Sequence, residues 1–338
     1  MFLPLFFTVY AENVFGQPVL LFSFASQAGS RGAAFCLRSR AREESKSGAT
    51  FLQHLLTGVS LGGAYALIAI GYTMVYGILR LINFAHGDIF MMSGYFMIFA
   101  VSSMPWFIGV PTALIGSVLL GVVIEKAAYK PLRSAPRMSV MISAIGVSYL
   151  LENLATYLFT AIPMAYPEIP GLKKIFTFGQ ITTSLVTILT PVLTIVLVVL
   201  LLQLINKTKM GMAMRAVSKD TEAARLMGIR VDSTISMTFV IGSFLAGIGA
   251  LLYFTDRMTV YPYSGALPGL KCFVAAVLGG IGSIPGAVIG GFIIGISETF
   301  LVALGYSTFS DAFTFVLLII ILLVRPTGLF GEAATDKV

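Results

Sequence analysis

Asn83, His86 and Asp88 fall within one short stretch, Asn83-Phe84-Ala85-His86-Gly87-Asp88, between two long apolar runs. Glu152 and Asn153 sit inside another apolar run, and Glu298 inside a third. Polar and ionisable groups at membrane depth are expensive, so they face a bundle interior, a watery cavity or a partner of opposite charge. The chemistry open to them is recognition rather than bond making. A carboxylate can steady an ammonium, and a helix broken at Gly87 offers free N–H groups to a carboxylate. The 83–88 stretch therefore predicts a segment that lines or gates a pathway; its plainer reading is a cytoplasmic turn between two spans, marked by Arg80. For Glu152 the alternatives are steadying a solute ammonium or pairing with a basic group of another helix. His54 and His86 are isolated. No metal-ligand constellation, nucleophile–base arrangement or GxxxxGK[ST] phosphate loop occurs, so no catalytic or metal-binding residue is assigned. No cofactor is expected on this chain, and an ATP-driven process would need an external motor.

The elements that must position these residues follow from composition. Of the 338 residues, 57% are hydrophobic and 11% charged, with a mean hydropathy of +0.93. Soluble domains carry about 25% charged residues, so a water-facing surface of ordinary polarity is excluded. The expected fold class is all-α, a polytopic integral membrane protein. At ~20 residues per span, roughly eight to ten transmembrane helices fit, some broken or re-entrant. The net charge of +7 reads as cytoplasmic loop bias, not as affinity for nucleic acid. Cys36 and Cys272 suggest neither a metal site nor a disulfide framework.

Residues 1–50 differ from the rest. Phe2 to Tyr10 is apolar but too short to span, and no basic residue precedes it, so the signal-peptide pattern is incomplete. A polar linker from Arg31 to Lys46 follows. The segment reads as a dispensable extension or misassigned start, or else as a weak signal or membrane-surface segment. The body is 51–331, with 332–338 as a C-terminal tail. Apolar runs lie at Leu55–Tyr76, Ile89–Val110, Thr112–Ile124 (opened by Pro111), Val140–Thr160, Ile181–Ile205, Thr234–Phe254 and Phe313–Val324. Leu270–Leu304 is too long for one span and is interrupted by Gly279, Gly280, Gly282, Pro285 and Gly286. The positive-inside rule puts the basic loops 126–137 and 206–233 in the cytoplasm, and 163–178 and the loop near 256–268 outside. Gly282, Gly286 and Gly290 recur at small-xxx-small spacing, with Gly291 and Gly295 on a neighbouring stripe, which predicts close helix packing.

Three stretches carry a family resemblance: Tyr65 to Gly77 (YALIAIGYTMVYG) with Ile82 to Asp88; Met210 to Ala216 with Glu222 to Ile229; and Ala275 to Gly291 (AAVLGGIGSIPGAVIGG). Glu125 to Arg133 and Arg325 to Gly328 add to it. Over about residues 51–331 the chain resembles the H-type permease of bacterial leucine/isoleucine/valine ABC importers. The resemblance implies a second related permease subunit, two cytoplasmic ATPase subunits that use the ATP, and a periplasmic amino-acid-binding protein, all acting at the bacterial inner membrane. It also implies that Glu222, Ala223, Ala224 and Gly228, an EAAxxxG pattern, form a short cytoplasmic helix that docks on the ATPase, with Arg215 among the charges at its rim. No Leu-Pro follows at the usual distance, and the bland alternative is a solvated basic loop that only sets topology. Urea and short-amide importers use related permeases, so cargo stays open among these, branched-chain amino acids and other amino acids. An ion-coupled secondary transporter is the rival of another class; it predicts internal repeats and discontinuous helices around a midplane site.

Overall fold

The computed structural model describes residues 10–12, 18–20, 30–133, 135–172, 174–178 and 181–331. The proposed tail, 332–338, lies outside the described residues. Eleven α-helices follow one another among them: α1 (Ser30–Leu79), α2 (His86–Ser103), α3 (Trp106–Ile124), α4 (Arg137–Phe159), α5 (Leu185–Lys207), α6 (Lys209–Lys219), α7 (Thr221–Leu226), α8 (Val231–Arg257), α9 (Ala266–Gly279), α10 (Ile284–Ala303) and α11 (Ser310–Val324). Among the described residues, seven stretches are long and apolar enough to cross a membrane: Thr50–Leu79, Trp106–Tyr129, Met138–Phe159, Leu185–Lys207, Val231–Arg257, Ile284–Ala303 and Ser307–Val324. Adding α2 and α9, which begin inside the bundle, brings the total to nine, within the expected eight to ten.

Several boundaries differ from the sequence reading. The backbone of the polar stretch Arg31 to Lys46, read above as a linker, is helical and continuous with the first span. Residues 10–12 and 18–20 pair as short antiparallel strands. Pro111 does not open a span. The chain turns at Met104 and Pro105 instead, and Pro111 lies in the second turn of α3, where its missing N–H removes one helical hydrogen bond. Ile181–Ser184 belongs to a strand pair with Ile175–Phe178, and α5 starts after it, capped by Ser184.

The two loops assigned to the cytoplasm meet in space. Lys130 lies 3.7 Å from Asp232, so the ends of 126–137 and 206–233 share one face, as the charge rule requires. At the opposite face Met164–Ala165 pairs with Thr259–Val260, joining the two loops assigned to the outside.

α1 and α8 form the centre. Ala64 to Ile70 are all at most 2% exposed, so an all-round apolar helix is buried all round. The two helices run antiparallel and cross where a Cβ on Gly242 would sit 3.5 Å from the Gly71 Cα. α2 packs on α3 and α8, while α9 packs on α10 and α1. α3 lies on α8 as α10 lies on α1. The two halves thus repeat the same neighbours in the same order with opposite direction. The outer faces of α3, α4, α5 and α11 expose Leu119, Ile142, Ile195 and Leu323, the apolar surface a bilayer demands.

Leu270–Leu304 resolves into α9, a turn and α10. Gly282 is in that turn, at φ +97°, and a Cβ added there would meet nothing within 4 Å. It therefore belongs to no packing stripe, contrary to the spacing argument, and its role is backbone conformation. Gly286 and Gly290 meet Gly279 and Ala275 of α9, whereas Gly291 and Gly295 meet Ala66 and Gly62 of α1.

Candidate functional site

α1 ends at Leu79, and residues 80–85 turn back into the bundle, so α2 starts beside the interior of α1. His86 packs against Gly71, whose missing Cβ makes the space, and its ring meets Tyr72 edge-on at 4.8 Å. The loop after α8 does the same from the other face, and α9 begins where Gly265 and Gly269 press on Gly87. Two helix N-termini therefore meet inside the bundle and run to opposite faces. Only small residues allow this approach. A Cβ on Gly87 would stand 2.8 Å from the Gly265 carbonyl oxygen.

Asn83, His86 and Asp88 are 2%, 1% and 2% exposed, so all three face protein. Tyr129 Oη donates to Asn83 Oδ1 at 2.7 Å. Ser148 of α4 donates to Asp88 Oδ2. Glu152, one turn along α4, is also buried, and no basic group faces it among the described ion pairs. Asn153 is separated from it: exposed on the outer face, it donates to the Tyr149 carbonyl of its own helix at 2.7 Å. The structure thus brings Asn83, His86, Asp88 and Glu152 to the α1–α2–α4 side of the bundle and leaves Asn153 apart.

Glu298 has a different setting, with partners the sequence reading did not name. Lys271 Nζ lies 2.9 Å from Glu298 and 2.6 Å from Asp311. Tyr65 Oη donates to Glu298 Oε2 at 3.0 Å. Lys271 was hidden in an apolar run, and a single cation there is the signal that could have pointed to buried acids.

The 206–233 segment folds into two short helices under the bundle. α6 buries Met214 and Val217, while Arg215 stays exposed and donates to Asn206 Oδ1 at 3.1 Å. α7 carries Glu222, Ala223 and Ala224. Asp220 caps it, accepting from the N–H groups of Glu222 and Ala223, each at 2.9 Å. Gly228, at φ +82°, closes it: its N–H reaches the Arg225 carbonyl at 3.0 Å, and that of Ile229 reaches Ala224 at 3.1 Å. This pair of bonds is a Schellman stop, and it gives the final glycine of EAAxxxG a backbone reason. Ala224 is buried, whereas Leu226 and Met227 are 88% and 82% exposed. The two exposed apolar residues were missed because the motif directs attention to its small residues; the cap Asp220 could have been found from its position before Thr-Glu-Ala-Ala.

Gly228→Ala is expected to cost α7 roughly 1–2 kcal/mol through its left-handed backbone, and Asp220→Ala about 1 kcal/mol. Amide hydrogen exchange in α7 should accelerate about tenfold in each. Unchanged protection would show that α7 is held by something other than its caps.

Two crevices among the described residues are small. One, between α1, α5 and α8, is lined by Thr57, Ser60, Thr187, Thr190, Tyr253 and Asp256 and holds about 20 Å³. The other, lined by Tyr72, Tyr76 and Phe273, holds about 10 Å³. Each has room for about one water, far below the ~300 Å³ at which small-molecule sites begin.

Residues 54–322 match the family described as branched-chain amino acid transport system / permease component. The chain is 41% identical over 302 residues to the high-affinity branched-chain amino acid transport system permease protein LivH of Salmonella typhimurium, covering 85% of this chain and 98% of that one. It is 40% identical to LivH of Escherichia coli K12 over 302 residues, with the same coverage. To the corresponding permease BraD of Pseudomonas aeruginosa it is 38% identical over 303 residues, again covering 85% and 98%.

Proposed function

Because the chain belongs to the family of branched-chain amino acid transport permease components, we propose that it is one of two permease subunits of an ATP-driven importer in a bacterial inner membrane. Its cargo is leucine, isoleucine and valine. Two cytoplasmic ATPase subunits dock on α7, a periplasmic binding protein delivers the amino acid, and the second permease is a related chain. ATP is hydrolysed on the partners, and this chain does no covalent chemistry and holds no cofactor of its own.

The observation that supports the docking role is the exposed pair Leu226 and Met227 on a doubly capped helix at the face assigned to the cytoplasm. Large apolar side chains held out into water mark a protein contact, and Glu222 and Arg225 beside them supply a polar rim. The inverted pair α2 and α9 is also a geometry used by ion-coupled secondary transporters, so dependence on ATP is what separates the two classes.

The test is leucine uptake in proteoliposomes holding the chain, its co-purifying partners and the binding protein. Uptake should require ATP and a functional ATPase. Replacing Leu226 and Met227 with Asp should reduce ATPase co-purification at least tenfold, as loss of interface anchors does. Leucine uptake without any ATPase would overturn the importer reading. ATP-driven uptake of urea or an amide in its place would overturn the cargo.

A further inference from the structure

The helix α3 does not end at Ile124. It continues as one π-helical turn, Glu125–Tyr129, closed by the Lys130 N–H on the Glu125 carbonyl at 2.8 Å. Such turns are rare inside α-helices and recur at functional positions. Here the turn serves two contacts at once. Glu125, 0% exposed, pairs with Arg133 and accepts from Ser236 Oγ of α8 at 2.8 Å. Arg133 also reaches Asp232 Oδ1 at 2.5 Å. Tyr129, at the far end of the turn, packs on Phe239 of α8 at 5.2 Å and donates to Asn83.

These contacts are continuous. Asp232 lies in the first turn of α8, just beyond the Gly228 stop of α7. Arg133 joins it to Glu125, the π turn joins Glu125 to Tyr129, and Tyr129 holds Asn83. The Asn83 carbonyl in turn accepts from the His86 N–H at 3.1 Å, at the start of α2. The acid–base–acid cluster spans the two basic loops, which otherwise repel each other. It supplies the two anions that let Arg133 and Lys130 sit together.

We propose that Asp232, Arg133, Glu125, Tyr129 and Asn83 form the joint that transmits movement of α7 to the buried start of α2. This rests on α7 being the ATPase-docking helix. Displacing α7 pulls on the first turn of α8, and the Asp232–Arg133 pair passes the pull to the π turn. Tyr129 delivers it to the loop that seats His86 against Gly71. All five are positioning residues; none needs to touch the solute.

The test compares leucine uptake and ATP hydrolysis in the same proteoliposomes, using Asp232→Asn, Tyr129→Phe and the double variant. Neither substitution leaves a buried charge unpaired on its own helix: Asp232 is largely exposed, and Tyr129→Phe removes one hydroxyl. Each single variant should keep its ATPase subunits and continue to hydrolyse ATP, while leucine moved per ATP falls at least threefold. The double variant should be no worse than the worse single, because the two act in series. A transport ratio within a factor of about 2 of the parent in both, roughly the scatter of additive sites, would overturn the joint. So would losses that multiply in the double. If the parent itself imports leucine without ATP, the docking premise fails first, and that result is distinct from an unaltered ratio in an ATP-dependent parent.

Discussion

Lys271→Met is expected to be the most destabilising single substitution in the bundle. The ammonium is 5% exposed as a residue and stands between two carboxylates, Glu298 at 2.9 Å and Asp311 at 2.6 Å. Methionine keeps the length of the stem and removes the charge. Asp311 is 46% exposed and can turn to water, but Glu298 is 9% exposed and cannot. Tyr65 is then left donating a hydrogen bond to a buried anion that has lost its cation. Breaking a buried pair from one side costs about 3–5 kcal/mol, most of it the solitary charge left behind. The cluster ties α9, α10, α11 and α1 together, so the loss is felt by four helices.

The expected measurement is a lower midpoint of thermal unfolding in detergent, with a sharp fall in folded yield. Adding Glu298→Gln to Lys271→Met should recover a large part of that loss, because it removes the orphaned charge while keeping an acceptor for Tyr65. Equal stability of parent and Lys271→Met would refute the network. Failure of the second substitution to recover anything would mean that packing, not charge, is what Lys271 supplies.

The second large effect concerns α1 and α10. A Cβ on Gly295 would fall onto the N and Cα atoms of Gly62, and a Cβ on Gly62 would lie 2.7 Å from the Phe292 Cα. These are backbone atoms, so no rotamer change relieves the clash. Gly295→Val must separate the helices or shift one along the other, and overpacking of this kind costs ~1–3 kcal/mol and occasionally more. Gly146 on α4 is the contrast, with nothing within 4 Å of an added Cβ. Gly146→Ala should be neutral within the chain or stabilise α4 by up to ~1 kcal/mol through helix propensity. Folded yield after solubilisation should therefore collapse for Gly295→Val and hold for Gly146→Ala. Equal yields would mean that α1 and α10 are not in backbone contact.

The glycine pattern also shows how far spacing can be read. The sequence spacing Gly282, Gly286, Gly290 suggests one stripe, yet the chain breaks at 280–283 and only the last two are on α10. The period of a helix holds only within the helix, and the glycines that stop it are of the same type as those that pack it. Gly291 and Gly295 were legible as a second stripe, but its partner, Gly62 of α1, was not. Likewise the Glu222 to Gly228 pattern pointed to a short helix, and the caps at Asp220 and Gly228 agree with it. That Leu226 and Met227 stand out in water depends on Ala224 being the residue turned inward, which is a matter of how α7 sits on the bundle.

Composition and loop charge act residue by residue, so the bilayer as solvent, the all-α class and the two faces were legible in the chain alone. The family was legible too, through motifs that are contiguous in the chain. That two helices begin in the bundle interior, and that Lys271 answers Glu298, emerged with the packed bundle. So did the contacts of Arg133 with Asp232 and of Tyr129 with Asn83. Those contacts link distant segments, and their energy depends on distance and burial, which no spacing along a single chain encodes.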